Sequence, residues 1–212
     1  GHMKRLAVFA SGSGTNFQAI VDAAKRGDLP ARVALLVCDR PGAKVIERAA
    51  RENVPAFVFS PKDYPSKAAF ESEILRELKG RQIDWIALAG YMRLIGPTLL
   101  SAYEGKIVNI HPSLLPAFPG KDAIGQAYRA GVSETGVTVH YVDEGMDTGP
   151  VIAQRVVPIV PGEPIEALEE RIHQVEHELY PTVLRMLLGE KEQQEERIEN
   201  DGSETSIDQR VQ

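Results

Sequence analysis

The stretch Arg5-Leu6-Ala7-Val8-Phe9-Ala10-Ser11-Gly12-Ser13-Gly14-Thr15-Asn16 runs from apolar residues straight into a turn that carries two glycines, hydroxyls and an amide. An apolar run this short, stopped by Gly-rich chemistry, reads as a buried strand, and the spacing over residues 16–26 reads as a helix. The unit is therefore strand, turn and helix. Downstream, strand-like runs at 32–38, 56–59 and 85–89 alternate with helix-like stretches at 43–53 and 67–80. In the last of these Phe70, Ile74, Leu75 and Leu78 recur at three- and four-residue spacing. This alternation predicts an α/β fold, with a mostly parallel central sheet, helices on both faces and right-handed crossovers.

The pattern changes in the second half. After Gly96-Pro97 the sequence predicts a short helix, a fifth strand at 107–111, a loop punctuated by Pro112, Pro116, Pro119 and Gly120, and a helix at about 122–130. Strands at 136–142 and 151–160 flank a second Gly-rich loop. Their alternating residues (Val137, Val139; Val151, Ala153) predict an antiparallel pair at one side of the sheet. A final helix over 164–188 carries the stripe Ile165, Leu168, Ile172, Val175 and Leu179, and Pro181 is expected to kink or restart it.

Composition bounds the function. The chain has 212 residues, 43% hydrophobic and 25% charged, as an ordinary globule does. A single domain is expected over 4–188, with residues 1–3 read as an expression scar plus the start Met. One cysteine, Cys38, excludes a disulfide framework and a Cys-based zinc ribbon. No apolar run reaches the about 18 residues of a membrane span, and no secretory leader is evident, so a cytoplasmic protein away from membranes is expected. The net charge is −6, but residues 190–212 hold eight acids against Lys191, Arg197 and Arg210, which leaves the rest at −1. Such a body lacks the basic footprint of a nucleic-acid binder. The segment 189–212 reads as an acidic, loosely docked tail.

Three constellations carry chemistry. Ser11-Gly12-Ser13-Gly14-Thr15-Asn16 at a helix start offers backbone N–H groups and a helix dipole to an anion, most often phosphate. A dinucleotide site is a competing reading, with Asp39 at the next strand end as its ribose ligand. The third glycine of that fingerprint is replaced by Phe17, and the polar side chains suit a terminal phosphate monoester better. In the second constellation, Asn109 and His111 lie two apart on a strand and face one side, while Ile110 faces the other. Two polar groups on so apolar a strand call for a compensating network or a ligand, although a satisfied core histidine has the same pattern. The third is the acidic loop Asp143-Glu144-Gly145-Met146-Asp147-Thr148-Gly149-Pro150. It lacks calcium-loop spacing and gains meaning only beside His111, because a carboxylate next to an imidazole orients it and favours its protonated form.

Taken together, Asn109-Ile110-His111-Pro112-Ser113-Leu114-Leu115-Pro116, Met146-Asp147-Thr148-Gly149-Pro150 and the first turn closely resemble the phosphoribosylglycinamide formyltransferases, over residues 4–188 and in the same order. The resemblance implies a Rossmann-like formyltransferase fold. It also implies transfer of a formyl group from 10-formyltetrahydrofolate to the amine of glycinamide ribonucleotide, without a metal. Residue by residue, it implies Asn109, His111 and Asp147 as the catalytic trio and Ser13, Gly14, Thr15 and Asn16 as the substrate-phosphate turn. Tyr91, Met92, Arg93, Leu94 and Ile95, with the stretch from Val142 and Asp143 to Asp147, match the folate pocket, and Glu176 matches an acid that meets the substrate. Lys67 stands where some relatives carry arginine, near the phosphate and folate side, and His173 where some carry glutamine. At about 100° per residue, Glu176 lies roughly 65° from the middle of its helix's apolar stripe, at the edge of a cleft, with His173 and His177 further toward solvent. Formyltetrahydrofolate deformylase and methionyl-tRNA formyltransferase are neighbouring readings. Pro112, the phosphate turn and the lack of an added N-terminal regulatory or basic C-terminal domain weigh against them. A nucleotide-binding module without catalysis is the reading from another class, and the oligomeric state, a homodimer included, stays open.

Overall fold

A computed structural model of the chain describes residues 3–190; Gly1, His2 and the acidic segment from residue 191 onward lie outside the described residues. The chain runs β1 (Lys4–Ala10), α1 (Thr15–Arg26), β2 (Ala31–Cys38), α2 (Lys44–Arg51), β3 (Ala56–Val58), α3 (Lys67–Gly80) and β4 (Trp85–Leu88). It continues through α4 (Pro97–Ala102), β5 (Ile107–His111), α5 (Ala123–Ala130), β6 (Glu134–Tyr141), β7 (Val151–Pro158) and α6 (Ile165–Arg185). Seven strands form one sheet in the order β3-β2-β1-β4-β5-β6-β7. The first five are parallel, and β6 and β7 add antiparallel. The expected fold class and the antiparallel pair are both present.

Alternation along each strand splits the core. Leu6, Val8, Leu36, Cys38, Trp85 and Ala87 join α1, α2, α5 and α6 on one face. Ala7, Phe9, Leu35, Val37, Ile86 and Leu88 join α3 and α4 on the other. Both faces are covered, as a parallel sheet requires. Because β1 is followed by β2 and β3 to one side and by β4 to the other, the winding reverses between β1 and β4. A crevice opens there at the carboxyl ends of the strands, where open α/β sheets take their ligands.

Pro181 neither ends nor restarts α6, which runs unbroken to Arg185 and passes into a π-helical turn at Met186–Glu190. The residues around the proline, Leu179, Tyr180, Val183 and Leu184, are fully buried. The Tyr180 hydroxyl donates toward Leu88 O at 2.7 Å and Val108 O at 3.3 Å. Tertiary burial here outweighs the hydrogen bond that proline removes.

Candidate active site

The first wall of the crevice is the turn between β1 and α1. Gly14 caps the helix at φ +77°, and a Cβ there would lie 2.5 Å from Val45 Cγ2 and 2.9 Å from Val45 Cα, so only glycine fits. With no side chain at that cap, the first-turn N–H groups of α1 have no local acceptor of the usual kind. Helix α2 braces the turn: Val45 N donates to Gly12 O at 3.0 Å and Arg48 Nε to Ser13 O at 2.7 Å. Asn16 Nδ2 donates to Glu176 Oε1 at 2.8 Å, and Asn16 Oδ1 is buried without a partner. Glu176 is buried although α6 is amphipathic, and its Oε2 lies 3.4 Å from His173 Nδ1. That hydrogen bond holds the His173 pKa above the ordinary imidazole value. His173 is exposed and His177 half-buried, as their positions on the helix predict.

Strand β5 supplies the second wall. Register places Asn109 opposite His140 on β6, and Asn109 Nδ2 lies 3.3 Å from His140 Nε2. His140 Nδ1 is 2.8 Å from Tyr141 O. A carbonyl only accepts, so Nδ1 carries the proton and Nε2 is left to accept from the Asn109 amide. Burial pushes the His140 pKa down, in keeping with a neutral ring. His111 is also buried and donates from Nε2 to Phe118 O at 2.9 Å. Its Nδ1 faces Asp147 Oδ1 at 3.6 Å, an ion-pair separation rather than a hydrogen bond. Asp147 sits at φ +57°, and its Oδ2 accepts from Gly120 N at 2.8 Å, which stitches the Pro-rich loop to the acidic loop.

The third wall is the segment after β4. Tyr91 packs edge-on against Phe9 with ring centroids 5.3 Å apart. Met92 and Leu94 are exposed apolar side chains, as is Met146 across the opening. Asp143 accepts from Thr148 Oγ1 at 2.7 Å and Gly145 N at 2.9 Å and so shapes its own loop; the Thr148 bond, first, holds its carboxyl below the usual range. Gly149 lets that loop close, since a Cβ there would lie 1.7 Å from Tyr141 O.

These walls enclose a cavity of about 670 Å³. Ser13, Gly14, Thr15, Asn16, the 91–95 segment, Asn109, His111, Val142, Asp143, Asp147, His173 and Glu176 all line it. Lys67 does not: its Nζ donates to Leu94 O at 2.8 Å and supports the segment from behind. Sequence reasoning passed over His140, whose signal was a polar residue among the valines of β6. Asp39 is engaged internally, accepting from Ser11 Oγ at 2.6 Å and Arg93 Nε at 2.9 Å, and it is buried outside the cavity lining, which does not suit it to a ribose ligand. Among the described residues no cluster of His, Cys, Asp and Glu is arranged to hold a metal ion, and no helix is long and apolar enough to cross a membrane.

Comparison with known proteins converges on one family. The family model described as formyl transferase matches residues 4–184. Phosphoribosylglycinamide formyltransferase of Bacillus subtilis (strain 168) is 61% identical over 187 residues, 88% of this chain and 96% of that protein. The trifunctional purine biosynthetic protein adenosine-3 of Drosophila pseudoobscura is 44% identical over 186 residues, 87% of this chain and 14% of that longer protein. Among solved structures, the phosphoribosylglycinamide formyltransferase of Bacillus halodurans superposes with a TM-score of 0.86 at 61% identity, covering 88% of this chain and 96% of that one.

Proposed function

The chain belongs to the formyl transferase family and is a transferase; from that premise we propose that it moves the formyl group of 10-formyltetrahydrofolate to the amine of glycinamide ribonucleotide in purine synthesis, with Asn109, His111 and Asp147 as catalytic residues. The observation that carries this reading is that all three side chains line one cavity together with an anion-ready helix start and an apolar slot.

The folate supplies the one-carbon unit. A slot bordered by Met92, Leu94, Ile95 and Val142, with polar Asp143 at its edge, suits a flat heterocycle with a polar rim. The turn from Ser13 to Asn16 receives the ribonucleotide phosphate. Glu176 and the unpartnered Asn16 Oδ1 are acceptors, matched to the N–H groups of a glycinamide. In the transfer, a bond forms from the amine nitrogen to the formyl carbon while the bond from that carbon to the folate nitrogen breaks. One proton must leave the amine and one must reach the departing nitrogen. The Asn109 amide gives one N–H to His140 Nε2, which fixes its rotation, and aims the other at the oxygen that gathers negative charge. His111, oriented by Phe118 O and faced by the Asp147 carboxylate, provides a second donor and a path for the proton.

The test is consumption of 10-formyltetrahydrofolate with and without glycinamide ribonucleotide. Turnover that requires the ribonucleotide and yields its formyl product is expected. Equal consumption in its absence would indicate a deformylase and overturn the reading.

A further inference from the structure

Two hydrogen bonds join the turn after β1 directly to the segment after β4, and two more join them through Asp39, a residue with no part in the substrate assignments. Ser11 N donates to Gly90 O at 3.1 Å, and Met92 N donates to Ser11 Oγ at 2.9 Å. The same hydroxyl donates onward to Asp39 Oδ1 at 2.6 Å, while Asp39 Oδ2 accepts from Arg93 Nε at 2.9 Å. Ser11 and Asp39 are 4% and 8% exposed and neither lines the cavity, whereas their neighbours Gly12, Met92 and Arg93 do.

The polarity of this chain is fixed by chemistry. A carboxylate only accepts, so Asp39 compels the Ser11 hydroxyl to donate to it and leaves the hydroxyl lone pairs for Met92 N. Its second oxygen holds Arg93, whose side chain is 42% exposed and lines the cavity. One buried carboxylate at the end of β2 thereby clamps a residue adjoining the phosphate turn to two residues of the pterin slot. Charge-assisted bonds of this kind are the strong ones, and a bridge anchored on two buried members, Ser11 and Asp39, ties the two loops together.

We infer that Asp39 is a positioning residue that couples the two substrate subsites through Ser11 and Arg93, so that filling the phosphate turn tightens the hold on folate and the reverse. The inference rests on the assignment of the two subsites in the proposed function. Coupling between sites is reciprocal, so either ligand can report it.

Asp39→Asn tests it. The amide keeps a carbonyl for Ser11 but turns an N–H toward Arg93 Nε, opposing donor to donor. The KM for each substrate should rise, that for folate by about tenfold, while kcat stays within about twofold. In the parent enzyme, the Kd of a non-reactive folate analogue measured by calorimetry should fall about fivefold or more when glycinamide ribonucleotide saturates the protein. In the variant that ratio should collapse toward one, which loss of global stability alone does not produce. Ser11→Ala, which deletes the hydroxyl and little volume, should give the same collapse and serves if Asp39→Asn does not fold. A ratio of one in the parent, or an unchanged ratio in the folded variants, overturns the coupling. A parent without ribonucleotide-dependent turnover overturns the proposed function instead.

Discussion

Asn109 and His140 illustrate how much chemistry depends on one hydrogen bond. Because His140 Nδ1 is committed to Tyr141 O, its Nε2 must accept, and the Asn109 amide is locked with a second N–H free, the donor that the proposed function directs at the reacting oxygen. Asn109→Ala should therefore lower kcat by about 10²–10³-fold with a far smaller change in KM, a split that steady-state kinetics in both substrates would resolve. The same bond has a pH limit. Burial lowers the His140 pKa below its unfolded value near 6.5, so protonation is resisted in the folded state. The stability tied to the neutral ring is fully present above the unfolded value and is lost as pH falls toward the folded one. A protonated Nε2 would also confront the Asn109 amide donor to donor. Thermal unfolding followed from about pH 8 to 5 should show the parent losing stability on the acid side more steeply than His140→Gln. His173 runs the other way: the Glu176 bond raises its pKa, so its contribution is complete below the unfolded value and fades as pH climbs through the folded one.

Elements set those residues in place, and here the sequence was largely readable. Strands β1, β2 and β4 are short apolar runs ended by turn residues, and α3 repeats its apolar positions every three to four residues, so period and punctuation agreed with the fold. The Asn109 and His111 pair was legible because both lie on one face of one strand, whereas Asp147 stood out from the other two carboxylates of its loop only through the family resemblance. Less was visible where tertiary register decides. Asn109 meets His140 across 31 positions through antiparallel pairing, and Asp39 meets Ser11 across 28, distances that no local pattern encodes. Pro181 likewise reads as a break, yet Tyr180 anchors α6 by its hydroxyl to carbonyls of β4 and β5. Tyr180→Phe leaves those carbonyls without their donor in a fully buried site and should cost about 1–3 kcal/mol in denaturant unfolding, with kcat little changed because the ring still packs. Gly14→Ala forces a Cβ onto Val45 at a left-handed position and should destabilise the fold by about 1–3 kcal/mol while raising the ribonucleotide KM.

At the scale of the whole molecule, the crevice draws its walls from both sides of the winding reversal: the turn after β1 with α6 packed beside it, and the ends of β4, β5 and β6. A ligand that spans it adds to the contacts that already join these segments, the sheet, the Asn16–Glu176 bond and the Ser11–Asp39–Arg93 bridge among them, so binding should resist global unfolding rather than local fraying. For a ligand that binds only the folded state, the gain follows from mass action. Glycinamide ribonucleotide at 100 times its Kd should add about 2.7 kcal/mol, which in a domain of this size raises Tm by roughly 5–10 °C. A folate analogue at the same multiple should add as much alone. With both present the gain should exceed the sum of the two by about 1 kcal/mol or more if the inferred coupling through Asp39 operates. Calorimetric scans with each ligand, with both, and with Asp39→Asn decide the matter. Strict additivity in the parent would mean that the two subsites act independently, whereas an excess present in the parent and absent in the variant assigns the cooperation to the buried carboxylate.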